Sequence, residues 1–472
     1  MDNMKRSIGL PMGDATRLKT RPIATLIIIA LNVAIYAITS YANYFLETSE
    51  YWVSAGGFVP SLIVYPSQLY RIFSSMFLHA DFFHILFNMY FLYLFGRAVE
   101  NALGRIRYLA LYFISGIAAS IFHTAFSFLG GFTAYVIPAM GASGAISGIL
   151  GAYLMLFPGT SLVMGWFFFM FPVFFRLKAA YYLIFWFATQ LIYGYARLAE
   201  STAVFAHAGG FIAGIAILAV IANKERMSQF RIVQQIAPYP YLIFAPSPQR
   251  HKGLSRISKA IIMTLLALLL VGTAYASIGI SNQGDIKAAT IQYTCDGTPY
   301  MDYLGVQLPD IQSQLNSISL DETRILINRL YGVGLLYNET QRNKEVNLTN
   351  WRVILGMTVY GERVNVNLVI HNFRGRYDSE GFLNFCEGNL TTEVVRIYQY
   401  GYLYNVTVEG TLNYTFEISS QTVNLTNVMQ FTALPSLFAT AAALTVVITK
   451  DKDLVLIAEE RETVWHRFEP TI

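Results

Sequence analysis

The chain has 472 residues, of which 54% are apolar, 15% aromatic and only 13% charged. Soluble proteins carry about 25% charged residues, so the composition excludes an ordinary water-soluble enzyme and favours a protein that lies mostly in lipid. The net charge of +4 is too small to indicate a nucleic-acid partner, and two cysteines exclude a disulfide-dense scaffold or a cysteine-rich metal site.

Apolar windows of roughly 20 residues predict eight membrane-spanning helices. A basic cytoplasmic N-terminus, residues 1–22, precedes the first helix, which we interpret as an anchor because no small-residue cleavage site follows it. The apolar stretch 159–175 is interrupted by Pro172, and we interpret it as an interfacial segment. The predicted spans are 23–43, 82–97, 108–129, 141–157, 177–197, 203–222, 258–280 and 429–449.

The distribution of basic residues predicts the orientation of these helices. The linker 223–257 carries six basic residues against one acid, whereas loop 44–81 carries three acids against Arg71 alone. Basic loops are retained in the cytoplasm, so we expect both termini to be cytoplasmic, with residues 450–472 as a cytoplasmic tail. We also expect a multi-pass protein of the cell membrane.

This orientation places residues 281–428 outside the cytoplasm. Alternating apolar and polar residues predict a mainly β domain there, with one amphipathic helix near 320–331. Six of its 16 asparagines lie in Asn-x-Thr sequons, so we expect a glycosylated surface. Both cysteines, Cys295 and Cys386, fall in this domain, and the sequence leaves open whether they pair. The sequon residues are Asn338, Asn347, Asn389, Asn405, Asn413 and Asn424.

Four chemically useful side chains fall near the outer ends of three predicted spans. His84 and Asn88 lie in the first two turns of span 82–97, Ser143 begins span 141–157, and His207 begins span 203–222. These three spans run in the same direction, so the topology places all four side chains at similar depth. Ionisable residues inside a membrane segment commonly mark function.

The residue types point to nucleophilic catalysis. A serine hydroxyl becomes a nucleophile when a base removes its proton, and a neutral imidazole can be that base. We therefore expect Ser143 as nucleophile and His207 as general base, in a dyad because no aspartate lies within these spans. The Ser143 backbone N–H, Asn88 and His84 can donate hydrogen bonds to the oxyanion. Two small-residue faces, at Gly144 and Gly148 and at Gly210 and Gly214, can bring the two helices together.

At these residues the chain resembles the rhomboid intramembrane serine proteases. The resemblance covers roughly residues 20–222 and rests on HADFFHILFN, RAVENALG, GASGAISG and AHAGGFIAG in that order. It implies a Ser143–His207 dyad, an oxyanion site at His84 and Asn88, and substrates that are membrane proteins cut within or beside a transmembrane segment. Two positions depart from the family pattern: Tyr70-Arg71 stands for Trp-Arg, and Ser147 stands for an aromatic residue stacked on the histidine.

The sequence thus predicts an all-α polytopic membrane protein. A six-helix rhomboid-like core, 23–222, is followed by two further transmembrane helices, 258–280 and 429–449, that flank a mainly β extracytoplasmic domain. The predicted function is intramembrane serine endopeptidase, with transmembrane proteins and the lipid bilayer as partners, an unknown ligand for the outer domain, and no cofactor. Span 177–197, with its aromatic residues 185–187, is the expected lateral gate.

Two other functions stay open: a catalytically silent relative that binds and routes membrane clients, and a receptor that uses the outer domain. A zinc site is disfavoured, because His79 and His84 are five residues apart and have no accompanying carboxylate base. We expect His79 to order the outer rim and His123 to be a core histidine without a catalytic role.

Overall fold

The structure is a computed structural model, and it describes most of both halves of the chain. Residues of the predicted linker 223–257 fall largely outside the described part, as does most of the tail 450–472. The described residues are 10–14, 20–168, 171–198, 203–223, 225–228, 253–279, 284–308, 311–318, 324–359, 362–400 and 403–459.

The N-terminal half forms a helical core. Two short helices, α2 and α3, lie in the loop after the first long helix, and five further helices follow. Their bounds are α1 Ile23–Ser40, α2 Glu50–Gly56, α3 Tyr70–Ser74, α4 Phe82–Leu103, α5 Arg105–Phe126, α6 Ser143–Leu156, α7 Ala179–Tyr195 and α8 Val204–Ile221.

Six helices of the described chain are long and apolar enough to cross a membrane, which makes the protein a multi-pass integral membrane protein. Of the eight predicted spans, 141–157 corresponds to α6, an apolar helix of only 14 residues, and 177–197 to α7, of 17 residues. Crossing by these two stays a prediction. The six are Ile23–Asn43, Phe82–Leu103, Arg105–Gly130, Val204–Ile221, Arg256–Ile278 and Leu425–Thr449.

Helix α6 is the centre of the core. Every residue from Gly144 to Leu156 is buried, and α4, α5, α7 and α8 all pack against it. Fourteen residues rise only about 21 Å, which is less than the ~30 Å hydrocarbon thickness. A short helix enclosed by longer ones leaves space above one of its ends, and Ser143 lies at that end.

Backbone contact joins α6 to α8. A methyl group placed on Gly210 would overlap the carbonyl oxygen of Gly144, and one placed on Gly214 would overlap that of Gly148. The two small-residue faces predicted from the sequence therefore lie against each other. Because apolar side chains gain little by leaving lipid for another helix, such close backbone packing is what holds membrane helices together.

The stretch Arg97–Gly104 ties α4 to the start of α1. Glu100 is buried, and its carboxylate accepts hydrogen bonds from the backbone N–H groups of Ala24 and Thr25 at 2.9 and 2.8 Å. These N–H groups belong to the first turn of α1 and have no intrahelical acceptor. A carboxylate at a helix N-terminus also opposes the helix dipole, so Glu100 fixes where α1 begins.

The apolar stretch 159–175, interpreted from sequence as an interfacial segment rather than a further span, forms most of a β-hairpin. Strands β2 (Ser161–Phe168) and β3 (Phe171–Lys178) pair antiparallel, and β1 (Leu10–Asp14) adds to β2. Pro172 lies in β3, which is an edge strand where a missing N–H is tolerated. The pairing satisfies backbone groups that an irregular segment would leave exposed near lipid.

The C-terminal half contains the predicted β-sheet region. Helices α9 and α12 flank a six-stranded antiparallel sheet in the order β5-β4-β9-β8-β7-β6. Helix α11 lies where an amphipathic helix was predicted near 320–331, although 320–323 are outside the described residues. The bounds are α9 Arg256–Gly279, β4 Asp285–Cys295, β5 Thr298–Gln307, α10 Ile311–Ile318, α11 Ile325–Gly332, β6 Glu345–Val359, β7 Glu362–Tyr377, β8 Leu383–Tyr400, β9 Leu403–Asn424, α12 Leu425–Thr449 and α13 Asp451–Leu454.

The possible disulfide between Cys295 and Cys386 is not formed, and both thiols are free. Cys295 pairs with Tyr414 on one side of β9, whereas Cys386 pairs with Ile418 on the other side. The two cysteines are therefore two strand spacings apart across the sheet, about 10 Å, and four residues out of register along β9. Both displacements place them beyond the ~7 Å Cα limit for a disulfide. Burial raises the pKa of the Cys386 thiol to about 12, which keeps it protonated and unreactive.

The chain passes between the sheet and the membrane helices where β4 begins and β9 ends. Asp285 at the start of β4 pairs with Asn424 at the end of β9, and the Asn424 amide donates to the Asp285 carboxylate at 2.8 Å. Helix α12 then packs against α5, α8 and α9, and the Tyr135 hydroxyl lies 3.2 Å from the Met429 sulfur. Helix α12 is thus part of the helical core as well as the support of the sheet.

Candidate functional site

Ser143 and His207 are in direct contact. The Ser143 Oγ lies 2.9 Å from the His207 Nε2, across the junction of α6 and α8. Ser143 is the first residue of α6, and His207 lies in the first turn of α8. The sequence predicted that the two residues lie at similar depth and that glycine faces bring their helices together. The observed contact has this geometry, with a hydroxyl in hydrogen-bond reach of an imidazole.

His84 and Asn88 line the same cavity as the dyad. The backbone N–H of Ala80 donates to His84 Nδ1 at 3.4 Å, so a neutral His84 carries its proton on Nε2. The Asn88 amide donates one hydrogen to the His84 carbonyl oxygen at 2.8 Å, which leaves its second amide hydrogen. Both side chains therefore have a donor for a developing oxyanion.

Gly141 marks the space between the nucleophile and these donors. Its φ of +122° is a conformation that residues with side chains rarely adopt. A side-chain carbon at this position would lie 2.7 Å from His84 Nε2 and 3.5 Å from Ser143 Oγ. Because Gly141 has no side chain, the protonated nitrogen of His84 and the serine hydroxyl border one small volume, where a substrate carbonyl oxygen fits.

His79 accepts a hydrogen bond from Ala142, the residue before Ser143. The sequence had predicted only that His79 orders the outer rim. Its side chain is fully buried, and the Ala142 N–H donates to its Nε2 at 3.4 Å. Burial and the neighbouring His84 lower the pKa of His79 to about 3, so the ring is neutral and can accept this hydrogen bond. His79 thereby helps to fix the turn that leads into α6.

The missing aromatic residue at Ser147 is replaced from another helix. The Trp186 ring of α7 lies 6.1 Å from the His207 ring, centroid to centroid, and 6.0 Å from the Phe211 ring. Ser147 is buried and donates to the Ser143 carbonyl oxygen at 2.6 Å. The sequence placed Trp186 in a lateral gate, whereas its ring here packs against the proposed base.

Gln190 is a site residue that the sequence reasoning missed. Its Oε1 lies 2.9 Å from His207 Nδ1, on the side of the ring opposite Ser143. The usual partner of a catalytic histidine is an aspartate, and a glutamine in that place forms no recognised sequence motif. A signal was nevertheless present, because Gln190 is a polar amide within a predicted membrane span, and such residues are commonly functional.

His123 lies in the cavity rather than in the core. The sequence predicted a core histidine without a role, but the side chain is half-buried and forms part of the cavity wall near the end of α5. The cavity has a volume of about 1180 Å³. Lining residues include Ala80, His84, Asn88, His123, Thr133, Ile137, Met140, Ser143, Trp186, Arg197 and His207.

Arg71 stabilises the loop between α1 and α4. It follows Tyr70, which stands where the rhomboid pattern has tryptophan. The Arg71 guanidinium donates to the carbonyl oxygens of Ser54 and Gly57 at 2.6 and 3.0 Å. The Tyr70 hydroxyl donates to the Ala55 carbonyl oxygen at 2.8 Å. Tyr70 and Arg71 therefore both bind the backbone of residues 54–57. A tyrosine in place of the tryptophan still provides a hydrogen bond to this loop.

Comparison with known proteins finds rhomboid relatives. A family model described as "Rhomboid domain" matches residues 66–224. "RHOMBOID-like protein 1" of Arabidopsis thaliana is 26% identical over 314 residues, which is 61% of this chain and 73% of that protein.

Two shorter matches have higher identity. "Rhomboid protein 1, mitochondrial" of Saccharomyces cerevisiae is 32% identical over 31% of this chain and 39% of that protein. "Rhomboid protease AarA" of Providencia stuartii is 30% identical over 27% of this chain and 48% of that protein. The chain therefore spans less than half the length of these two relatives.

Gly141→Ala tests the space beside the nucleophile. The new methyl group would press on His84 Nε2 and occupy the volume where a carbonyl oxygen fits, so we expect cleavage of a transmembrane reporter to fall by about 10²-fold or more. The matched control is Gly131→Ala in the same loop, because Gly131 also has positive φ (+79°) but has no neighbour within 4 Å. Equal losses in the two variants would indicate backbone strain rather than a blocked site.

Proposed function

The chain is a rhomboid family protein, and we propose that it is an active member, an intramembrane serine endopeptidase. In this proposal it cuts membrane proteins within or beside a transmembrane segment, using Ser143 and His207. The observation that carries the proposal is the 2.9 Å contact between Ser143 Oγ and His207 Nε2 at the wall of a cavity of about 1180 Å³. Hydrolysis needs water, and such a cavity admits water to a site that faces away from lipid.

The reaction follows from the positions of these groups. His207 Nε2 accepts the proton of Ser143 as its Oγ attacks the scissile carbonyl carbon. The negative charge that develops on the carbonyl oxygen is stabilised by hydrogen bonds from His84 Nε2–H, the free Asn88 amide hydrogen and the Ser143 backbone N–H. His207 then returns the proton to the leaving amine as the scissile C–N bond breaks. Water next attacks the acyl-enzyme while His207 accepts its proton, and His207 passes that proton to Ser143 Oγ as the acyl C–Oγ bond breaks and the carboxylic acid product leaves.

A catalytically silent relative would have no need for this geometry. Such a protein would still bind membrane clients, but nothing would hold a serine hydroxyl on an imidazole with two donors beside them. In this chain both members of the dyad remain, and Gly141 keeps the space between them and His84 open. We therefore favour the active enzyme.

We further propose that the cavity opens to the outside of the cell membrane and that both termini are cytoplasmic. The basic linker 223–257 supports this orientation. The cavity and the sheet lie at the same end of the helices, because a side-chain carbon at Gly305 of β5 would contact the backbone of Phe132 and Thr133 in the cavity loop. The sequons then face outside, as glycosylation requires.

Two sequon residues are the best candidates for modification. Asn347 in β6 and Asn389 in β8 are exposed. Asn413 in β9 is exposed too, but its amide donates to Asp296 at 3.0 Å and its side-chain oxygen accepts from Thr391. Asn424 is a poorer acceptor because its side chain caps α12 and donates to Asp285. Asn338 is half-buried, and its side-chain oxygen accepts from Thr340. Asn405 lies in β9, and its side chain is outside the described residues.

The outer domain lies beside the cavity mouth, and we propose that it selects substrates. Strand β5 contacts both the loop 132–135 and helix α2 of the first outer loop. The part of a substrate that emerges from the membrane next to the cut site would pass this strand. The chemistry itself depends on α4, α6 and α8, none of which belongs to the outer domain.

Alanine substitutions test the division of labour in the site. Ser143→Ala and His207→Ala should each abolish detectable cleavage, and the double variant should lose nothing further because the two residues act as a unit. Asn88→Ala removes one of several oxyanion donors, so about 10²–10³-fold loss in rate should leave measurable activity. His84→Ala should behave in the same way.

The measurement is single-turnover cleavage of a transmembrane reporter in detergent, with the cut site determined by mass spectrometry. Cleavage at the wild-type bond by Ser143→Ala would contradict the serine protease. A wild-type protein that binds the reporter without cutting it would support the catalytically silent alternative.

The orientation is tested by glycan and cysteine mapping in cells. Glycosidase treatment should shift the mass of the wild-type protein, and Asn347→Gln and Asn389→Gln should each reduce that shift, whereas Asn424→Gln should not. A sequon introduced into 229–250 should remain unmodified. A glycan in that segment would reverse the orientation.

Excision of the outer sheet separates chemistry from substrate choice. Because Leu425 N–H donates to the Gly284 carbonyl oxygen at 3.3 Å, a short Gly-Ser linker can replace 285–424 while α9 and α12 stay in place. This variant should still cleave a generic reporter, with altered preference among substrates that differ outside the membrane. Truncation near 230 is a poorer test, since it removes α12 from α5 and α8. A folded excision variant without any activity would contradict the separation.

A further inference from the structure

A row of hydrogen bonds leads from α7 to the nucleophile. Gln190 Oε1 lies 2.9 Å from His207 Nδ1, and His207 Nε2 lies 2.9 Å from Ser143 Oγ. At the other end the Gln190 amide nitrogen donates to the Trp186 carbonyl oxygen at 3.4 Å and to Thr189 Oγ1 at 3.3 Å. The row therefore begins at the backbone of α7 and ends at the serine hydroxyl.

The backbone end of the row can only accept hydrogen bonds. A carbonyl oxygen has no proton, so the group that faces Trp186 O must be the NH₂ of Gln190 and its oxygen must face His207. Thr189 supports this direction, because its hydroxyl hydrogen is directed to Trp186 O at 2.6 Å and its oxygen is left to accept from Gln190. The orientation of the Gln190 amide is thus fixed by its own helix.

The orientation of the Gln190 amide determines which ring nitrogen of His207 carries the proton. An amide oxygen facing Nδ1 is matched only by a proton on Nδ1, and a neutral imidazole with that proton has a bare Nε2. The bare Nε2 is the atom 2.9 Å from Ser143 Oγ. The opposite tautomer would place two lone pairs face to face at Gln190 and present an N–H to the serine, which could then not lose its proton to that nitrogen.

We propose that Gln190 is a positioning residue that holds His207 in the tautomer with its proton on Nδ1. Its amide oxygen does what a carboxylate does in a three-residue site, without a second charge in a buried place where ionisation is costly. Gln190 is buried, at 8% exposure, and lies on α7, the helix that also presents Trp186 to the His207 ring. Helix α7 thus sets the tautomer of His207 through Gln190 and packs Trp186 against its ring.

This inference rests on the proposed function for its kinetic consequence but not for its structural one. The structural readout is the ¹⁵N spectrum of selectively labelled histidine in the Ser143→Ala protein, with the His207 signals assigned by their absence in Ser143→Ala/His207→Ala. The expected spectrum has a protonated Nδ1 and a bare Nε2. A proton on Nε2 would overturn the proposal, whether or not the wild-type protein cuts any reporter.

The variants are Gln190→Leu, which keeps volume but removes the acceptor, and Ile192→Leu as the control on the exposed face of the same helix. In Gln190→Leu the His207 signals should become those of mixed tautomers, and kcat should fall about 10–10³-fold with KM within about twofold. Ile192→Leu should stay within about threefold of wild type, since the Ile192 side chain is exposed and takes no part in the row.

Thermal unfolding separates positioning from packing. Replacing a buried amide by leucine in a membrane helix removes no apolar packing, so the melting temperature of Gln190→Leu should equal or exceed that of wild type. An unchanged tautomer or an unchanged kcat in folded Gln190→Leu would overturn the proposal. If wild type itself proves inactive while the Nδ1-protonated tautomer is found, the proposed function fails and the role of Gln190 in fixing the ring stands.

Discussion

The site depends on the backbone contact between α6 and α8. Gly210 and Gly214 lie directly on the carbonyl oxygens of Gly144 and Gly148, so no side chain separates the two helices along this line. Ser143 is next to Gly144, and His207 lies about one turn before Gly210. The 2.9 Å separation of Ser143 Oγ and His207 Nε2 follows from this contact. Any shift that opened the helices by the width of a methyl group would place the hydroxyl beyond hydrogen-bond reach of the imidazole. The surrounding helices then keep α6 enclosed.

The membrane imposes a second constraint, because charges are costly there and water must still reach the bond. The short α6 leaves a cavity above its N-terminus, and polar groups from four other helices border that cavity. Asp81 and Arg197 also line the cavity, but the groups assigned to the chemistry are amides and imidazoles: Asn88, His84 and His207, with the Gln190 amide beside His207. Neutral hydrogen-bonding groups can direct a proton without the desolvation cost of a buried ion pair.

Much of this site could be predicted from the sequence, because its members begin spans of known direction. Ser143, His207, His84 and Asn88 follow from span boundaries and basic loops, and the small-residue faces were visible as glycines four apart. The contacts of Trp186 and Gln190 with His207 could not be predicted, although Gln190 was visible as a polar residue within a predicted span. Residues 185–187 are all aromatic, and only the packed rotation of α7 places Trp186 against His207 while Phe185 is 67% exposed. His123 was misplaced for the same reason, since one apolar helix does not reveal which face meets a cavity.

The fold was predictable where the pattern is long and ambiguous where it is short. Spans of 20 residues and alternating strands have distinct periods, but the apolar stretch 159–175 is too short to separate strand from irregular structure, and it forms a hairpin. Sequence also could not decide the fate of Cys295 and Cys386, because pairing depends on strand order. Strand β9 lies between them.

A fluorophosphonate probe tests the central claim most directly, since it reacts only with a serine whose proton a base can remove. Peptide mapping of the labelled, full-length protein in detergent should find the adduct on Ser143. His207→Ala should lose the adduct, whereas Ser147→Ala, one turn along the same helix, should retain it on Ser143. No adduct on wild type, or an adduct on another residue that persists in His207→Ala, would contradict a Ser143–His207 dyad.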